Sequence, residues 1–335
     1  MNAIIGDVKS IQGLGVASEE RKHLVSLVLL PYEVIHDEVF RTELEEVIRV
    51  ISQDETVVLA IDPSFPYPIV GEFSLPNVHI LRLLYPKGIP SDTLLPLFVQ
   101  DGIHDAGVDF EPQDCPRIGR DLLLELTLPR YPLKSLPFSL PTSSLCYGDR
   151  GVAFIDSYFL GRFSFEEAKV LLKENLNLGN VLFLSPLYES KGEISRYLCY
   201  SGNNTVAINP AYLRKSDLDA IASLGYQIIH LPKSYGSDSY TSLYQNDTTV
   251  FVPQFDKEED SKALSILSSF YEGKKKVVPV KATFSRYSGH SLRSYLSFIP
   301  YSPLYEIFPK EEKSTHQFYK EEKASAAKGN ATKEK

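Results

Sequence analysis

Three polar residues near the end of the chain, His290, Ser291 and Ser294, have the side-chain types of a hydrolytic nucleophile and its base. In such a pair a histidine takes the proton of a serine hydroxyl, and the pair is recognised by its geometry in the folded protein rather than by spacing in the chain. Because neighbours in one loop rarely face each other, we expect His290 to lie in a loop or at the rim of a site.

Two charged groups elsewhere could hold a substrate or move a proton. Glu193 stands between Lys191 and Arg196, which favours a solvated ion pair, and Arg120 precedes Asp121 in a pair of a kind that is more often structural than substrate-binding. A glutamate acts as an acid or base near neutral pH only where burial raises its pKa.

The sequence lacks the patterns of a metal or cofactor site. His36-Asp37 and His104-Asp105 are isolated pairs without the spacing of a zinc site. No GxGxxG follows a predicted strand, and no Walker A lysine is present. We therefore expect no metal and no cofactor.

Composition excludes further classes of protein. The 335 residues are 43% hydrophobic, enough for a large core, and the net charge of -8 argues against nucleic acid as a partner. The longest apolar run, residues 24–31, is too short to cross a membrane. The three cysteines lie far apart, which favours a reducing, cytoplasmic location.

The stretch from Thr249 to Pro300 predicts the elements that must position these residues. Its pattern indicates a strand, a helix, a second strand, a Ser/Gly-rich turn and a third strand. Asp256 and Glu259 predict the helix start, as an N-cap and N3 pair, and Gly273 predicts its left-handed end.

Comparable units recur along the chain. Helices are predicted near residue 40, from the capping box of Ser164 and Glu167 to Gly179, and from a cap at Ser216. Each is flanked by apolar strands. The pattern indicates diverged repeats of one strand and helix unit in an α/β protein.

Two short motifs carry a resemblance to a known family. VPQF at Val252–Phe255 and VVPV at Val277–Val280, on either side of the predicted helix, resemble the last repeat of the agmatine and peptidylarginine deiminases of the pentein superfamily. The resemblance covers about residues 25 to 305. It implies an α/β propeller of repeated units around a pseudo-fivefold axis.

The resemblance also implies positions for a site. Aligned through these motifs, Ser294 stands on the family's nucleophilic cysteine and Arg293 on the histidine before it. Glu193 stands on the acid/base histidine and Ser195 on a substrate-binding aspartate. Arg120 and Asp121 match the final Arg-Asp pair of a family motif in which an aspartate helps hold the substrate guanidinium. The family's Glu-Gly-Gly-Asn turn is replaced by residues 141–144. Attack on a guanidinium carbon needs a thiolate, which serine does not supply without a strong adjacent base.

These positions lead to two hypotheses. The first is a non-catalytic member of the family that binds a small guanidino ligand or a protein partner. The second is a hydrolase of guanidino compounds that uses Glu193 as base, Arg120 and Asp121 at the substrate, and Ser294 or His290 in the reaction. In either case we expect an extension over residues 1–24, a propeller domain over 25–309 and a charged tail over 310–335.

Overall fold

A computed structural model of the chain describes residues 15–16, 20–84, 97–100, 105–110, 127–128, 133–136, 142–148, 151–304 and 306–307. Its helices are α1 (Glu38–Asp54), α2 (Tyr67–Glu72), α3 (Phe165–Leu176), α4 (Lys215–Ser223), α5 (Glu259–Tyr271) and α6 (Ser285–Ser288). Its strands are β1 (Gly15–Val16), β2 (His23–Leu29), β3 (Val57–Ile61), β4 (Val78–Arg82), β5 (Leu97–Gln100), β6 (Asp105–Phe110), β7 (Thr127–Leu128), β8 (Leu133–Leu136), β9 (Leu145–Tyr147), β10 (Val152–Asp156), β11 (Asn180–Leu184), β12 (Leu198–Gly202), β13 (Thr205–Ile208), β14 (Gln227–His230), β15 (Tyr244–Gln245), β16 (Thr249–Gln254), β17 (Lys276–Lys281), β18 (Leu296–Pro300) and β19 (Glu306–Ile307).

Five of the sheets in the described part of the chain repeat one pattern, in which a central strand pairs antiparallel with one neighbour and parallel with another. The central strands are β2, β6, β10, β13 and β16. Helices α1, α3, α4 and α5 connect four of the parallel pairs. The predicted repeats are thus confirmed, and the five units give the pentein-type α/β architecture.

The first and last of these units share a sheet. Strand β18 pairs antiparallel with β2, with Leu296 opposite Val28 and Ile299 opposite Val25. Because β2 also pairs with β3, the two ends of the propeller lie side by side in the four-stranded sheet β18-β2-β3-β4.

Helix α1, the helix predicted near residue 40, packs an apolar face on the core. Phe40, Leu44, Val47, Ile48 and Ile51 are all buried, and the ring of Phe40 stacks on that of Phe284 with centroids 4.8 Å apart. Each such side chain contributes about 1.5–3 kcal/mol by leaving water. His36-Asp37 belongs to the start of this helix, since Asp37 Oδ1 accepts the Phe40 N–H at 2.9 Å.

The observed ends of helix α3 match the predicted ends only in part. The capping box of Ser164 and Glu167 forms as predicted. Helix α3, however, ends before Asn177, which adopts the left-handed conformation at φ 55°, so the predicted end at Gly179 is wrong. Asparagine tolerates this conformation because its short polar side chain bonds locally.

Two predicted helix starts are also wrong. Helix α4 begins at Lys215, so Ser216 lies inside it, and Asp217 accepts the N–H of Arg214 at 2.8 Å. At α5, Asp256 has a left-handed φ of 55° and is not the cap. Asp260 accepts the N–H groups of Phe255 and Lys257 instead, at 2.9 and 3.2 Å.

No helix in the described ranges is long and apolar enough to cross a membrane. Strand β1, at residues 15–16, pairs with β5. The boundaries proposed for the extension, the propeller domain and the tail stay predictions, and residues 310–335 lie outside the described residues.

Candidate functional site

The loop before β18 carries His290, Ser291 and Ser294. It follows the short helix α6, which ends at Gly289 with a left-handed φ of 71°. Helix α1 fixes the start of α6, because the buried carboxylate of Glu43 accepts the Thr283 hydroxyl at 2.5 Å and the Phe284 N–H at 3.0 Å.

A second loop, after β11, brings Glu193, Ser195 and Arg196 to the same place. It turns sharply at Lys191 and Gly192, with φ values of 54° and 75°. The hydroxyl of Ser190 donates to Asp156 Oδ2 at 2.6 Å, which ties this loop to the end of β10. A one-turn 3-10 helix, Ile194–Arg196, then leads into β12.

Glu193 accepts hydrogen bonds from both loops. His290 Nδ1 lies 2.7 Å from its Oε1, and its Oε2 accepts from Arg196 Nε at 2.9 Å and from the Ser291 N–H at 3.1 Å. Glu193 and Arg196 are each only 3% exposed. The predicted solvated ion pair is therefore a buried one, and His290 rather than Lys191 is its further partner.

These contacts set the charge state of Glu193. Burial raises its pKa, but the hydrogen bonds from His290 and Arg196, together with the charges of both, lower it by more, to about 2. A carboxylate in this state stays ionised near neutral pH. It is therefore unsuited to release or accept a proton in catalysis.

Three buried serines form a hydroxyl chain beside Glu193. Ser195 Oγ lies 3.0 Å from Ser291 Oγ, which lies 3.3 Å from Ser294 Oγ. We call Ser195, Ser291 and Ser294 the serine cluster. Its hydroxyls hydrogen-bond one another, and none bonds to Glu193 or His290 among the contacts of the described residues. As expected for neighbours in one loop, the His290 ring makes no hydrogen bond with Ser291 or Ser294.

The remaining predicted positions lie elsewhere or are not described. Arg293 donates to the carbonyl of Leu296, and its guanidinium carbon lies 5.8 Å from the centre of the Tyr244 ring. Arg120 and Asp121 lie outside the described residues, as does His104. Cys146 lies in β9 and Cys199 in β12, and neither forms a disulfide with a described residue. Cys115 is not described.

A cleft of ≈ 370 Å³ opens next to Arg196 and Gly289. We call it the tyrosine cleft, because Tyr188, Tyr212 and Tyr235 line it. Tyr188 meets the other two edge-on, with centroids 5.7 Å from Tyr212 and 5.2 Å from Tyr235. The sequence carries no signal for this cleft, because nothing in it marks which of the twenty tyrosines converge in the fold.

No protein-family model matches the chain, and no curated protein matches it in sequence. Solved structures match its fold. An agmatine deiminase from C. jejuni, determined as a cysteine-to-serine variant with substrate bound, aligns with a TM-score of 0.76 at 16% identity over 88% of this chain and 98% of that one. Agmatine deiminase of Enterococcus faecalis aligns at 0.75 and 17% identity over 90% and 99% of the two chains.

A putative peptidyl-arginine deiminase aligns with a TM-score of 0.73 at 15% identity, over 86% of this chain and 99% of the other. At such identities the likeness establishes the fold alone. The resemblance inferred from VPQF and VVPV is confirmed at that level. The chain has the pentein fold of the agmatine and peptidyl-arginine deiminases.

Proposed function

We propose that the chain is a non-catalytic pentein-fold protein that binds a small ligand or a protein partner. One observation carries the proposal. Ser294, which the resemblance aligns with the nucleophilic cysteine, is 0% exposed, and its hydroxyl hydrogen-bonds no described residue other than Ser291. A serine needs an adjacent base to act as a nucleophile. Glu193, with its pKa of about 2, does not serve as one.

Loss of the thiolate is compatible with binding. The C. jejuni neighbour holds its substrate in a cysteine-to-serine variant. A pentein-fold protein in which a cysteine is replaced by serine can therefore keep a ligand site. A small guanidino compound or a protein remains the proposed partner, and a cytoplasmic location remains a prediction.

A second candidate is a hydrolase of guanidino compounds. His290 favours it, because Glu193 holds its Nδ1 while its Nε2 makes no hydrogen bond with any described residue. A histidine fixed in this way can accept a proton from water or substrate. In this candidate His290 replaces Glu193 as the base. Ser294 takes part in the reaction, and Arg120 and Asp121 bind the substrate, as in the hypothesis drawn from the sequence.

One experiment separates the two candidates. The purified chain is incubated with agmatine, arginine and short arginine peptides, and ureido product and ammonia are measured. In parallel, the melting temperature is recorded with each compound, since a ligand that binds only the folded state raises it. We expect no product. Turnover that disappears in a His290→Ala variant would overturn the proposal in favour of the hydrolase.

A further inference from the structure

The wall of the tyrosine cleft carries the N–H donors of two basic side chains. Arg196 forms part of its wall although the residue is only 3% exposed. Its Nε donates to Glu193 and its Nη2 to the carbonyl of Gly289, at 2.9 and 2.5 Å. Its Nη1 makes no hydrogen bond with a described residue. A nearly buried guanidinium with free N–H groups at a cleft wall is ready to receive an acceptor.

Lys191 adds a second positive group to the same wall. It is exposed, lines the cleft and makes no ion pair with a described residue. Its left-handed φ of 54° is costly for a lysine, a cost that is more often kept at functional sites than elsewhere. A side chain at Gly289 would crowd it, because a Cβ built there lies 3.1 Å from the Lys191 Nζ.

Two rings give the cleft an apolar side. Tyr188 and Tyr235 are 51% and 56% exposed and meet at an interplanar angle of 87°. Exposed aromatic rings that converge on a cleft provide a flat surface for another planar group. The third ring, of Tyr212, is fixed in place, because its hydroxyl accepts the Gly236 N–H at 2.9 Å.

The cleft has few carboxylate oxygens that a ligand could contact. The oxygens of Glu193 already accept from His290, Arg196 and Ser291, so they are committed to donors of the protein. Among the described lining residues, Glu189 is the one carboxylate, and it is exposed to water. Glu193 thus offsets the charge of Arg196 but is not available to a ligand. A cationic ligand would meet the N–H donors of Arg196 and the ammonium group of Lys191, with Glu189 as the one carboxylate of the described lining.

We propose that the tyrosine cleft binds a small carboxylate that carries an aromatic ring, and not a cationic guanidino compound. The carboxylate accepts from Arg196 Nη1 and Lys191 Nζ, and the ring lies against Tyr188 and Tyr235. This inference rests on the proposed binding function, and it replaces the guanidino compound considered there with an aromatic carboxylate as the ligand of this cleft. The volume of ≈ 370 Å³ is at the lower end of the range for small-molecule pockets, about 300–1,000 Å³.

Three probes of one shape but different charge test the inference by titration calorimetry. They are 3-phenylpropionate, 3-phenylpropylamine and 3-phenylpropanol, with agmatine as the guanidino comparison. We expect the carboxylate to bind at least about fivefold more tightly than the amine, the alcohol or agmatine, with an affinity that falls as sodium chloride is raised. Equal affinity for all three probes, or tighter binding of the amine or agmatine, would overturn the inference.

Variants connect the binding to the cleft. Lys191→Gln and Tyr235→Ala lie at the surface, so we expect both to stay folded and to weaken binding of 3-phenylpropionate by about five- to tenfold. Lys262→Gln, on the exposed face of α5, and Tyr67→Ala, an exposed tyrosine of α2, are matched controls that should leave the affinity unchanged. Losses of equal size in variants and controls would place the binding elsewhere.

The ligand class and the non-catalytic function can each be overturned without the other. Turnover of agmatine would end the non-catalytic proposal without affecting a measured preference for carboxylates. Conversely, if agmatine binds without turnover and 3-phenylpropionate does not bind, the ligand class is wrong while the binding function stands. No binding of any probe at millimolar concentration would also overturn the ligand class.

Discussion

Nδ1 of His290 lies 2.7 Å from Oε1 of Glu193, although the two residues are 97 positions apart in the chain. The contact joins the loop after β11 to the loop before β18. Arg196 and the Ser291 N–H complete the set of donors around the same carboxylate. Glu193 thus connects two units of the propeller, and its first role is to hold their loops together.

Replacing Glu193 with glutamine should destabilise the fold. The change removes the charge that offsets the buried Arg196, and loss of one partner of a buried ion pair costs about 3–5 kcal/mol. The measurement is urea unfolding at neutral pH. Glu46→Gln, which removes an exposed partner of Arg49, is the matched control and should change the midpoint little. A Glu193 variant as stable as the control would mean that the network is not formed in solution.

The same carboxylate should make stability depend on pH in an acidic window. Its pKa falls from 4.5 in the unfolded chain to about 2 in the fold, so its contribution is fully present well above pH 4.5 and is lost as pH falls towards 2. About 2 kcal/mol of the contribution of Glu193 to the free energy of unfolding should be lost at pH 3. The stability difference between wild type and Glu193→Gln, measured by urea unfolding, should therefore shrink between pH 6 and pH 3. A constant difference would contradict the lowered pKa.

Restoring a thiol at position 294 should not create a deiminase. Ser294 is 0% exposed, so the cysteine of a Ser294→Cys variant would be buried and its pKa would not be lowered by burial. We expect no ureido product from agmatine. Thiol titration of the folded variant against the wild type, which keeps its three native cysteines, checks that the new thiol is inaccessible. Product formation would show that the position reaches substrate.

Substitutions of Asp256 and Asp260, which lie on either side of the first residue of α5, should have very different effects on stability. Asp260 accepts the N–H groups of Phe255 and Lys257 and the Tyr240 hydroxyl, the last at 2.7 Å, so Asp260→Ala should cost about 1–3 kcal/mol. Asp256→Asn keeps a side chain that tolerates the left-handed conformation and should leave the urea midpoint unchanged. If Asp256→Asn were less stable than Asp260→Ala, Asp256 would be the cap of α5 after all.

The sequence predicts most of the regular structure because the signals are local. The apolar stripe of α1, the Ser164 and Glu167 box and the left-handed Gly273, at φ 68°, all depend on residues within a few positions of each other. Asp256 and Asp260 show where local pattern fails. Both stand near the helix start, but Asp260 accepts the Phe255 N–H and also the hydroxyl of Tyr240, a residue twenty positions earlier that the local pattern does not include.

The site depends on contacts that a sequence does not display. Glu193 stands between two basic residues, which favours a solvated pair, yet it is buried by a loop nearly a hundred residues away. The alignment through VPQF and VVPV did bring Glu193, Ser195 and Ser294 into one neighbourhood, linked through Ser291. It gave no signal for Tyr188 and Tyr235, whose positions depend on how two loops meet.

The pairing of β18 with β2 makes completion of the first sheet depend on synthesis of the last unit. Residues near position 25 have to wait for residues near position 299 before their sheet is complete. On the ribosome, β2 therefore keeps one edge without its native partner until almost the whole propeller has been made, and unpaired strand edges favour aggregation. A nascent chain stalled before Leu296 should be more sensitive to protease and more dependent on chaperones than the released protein.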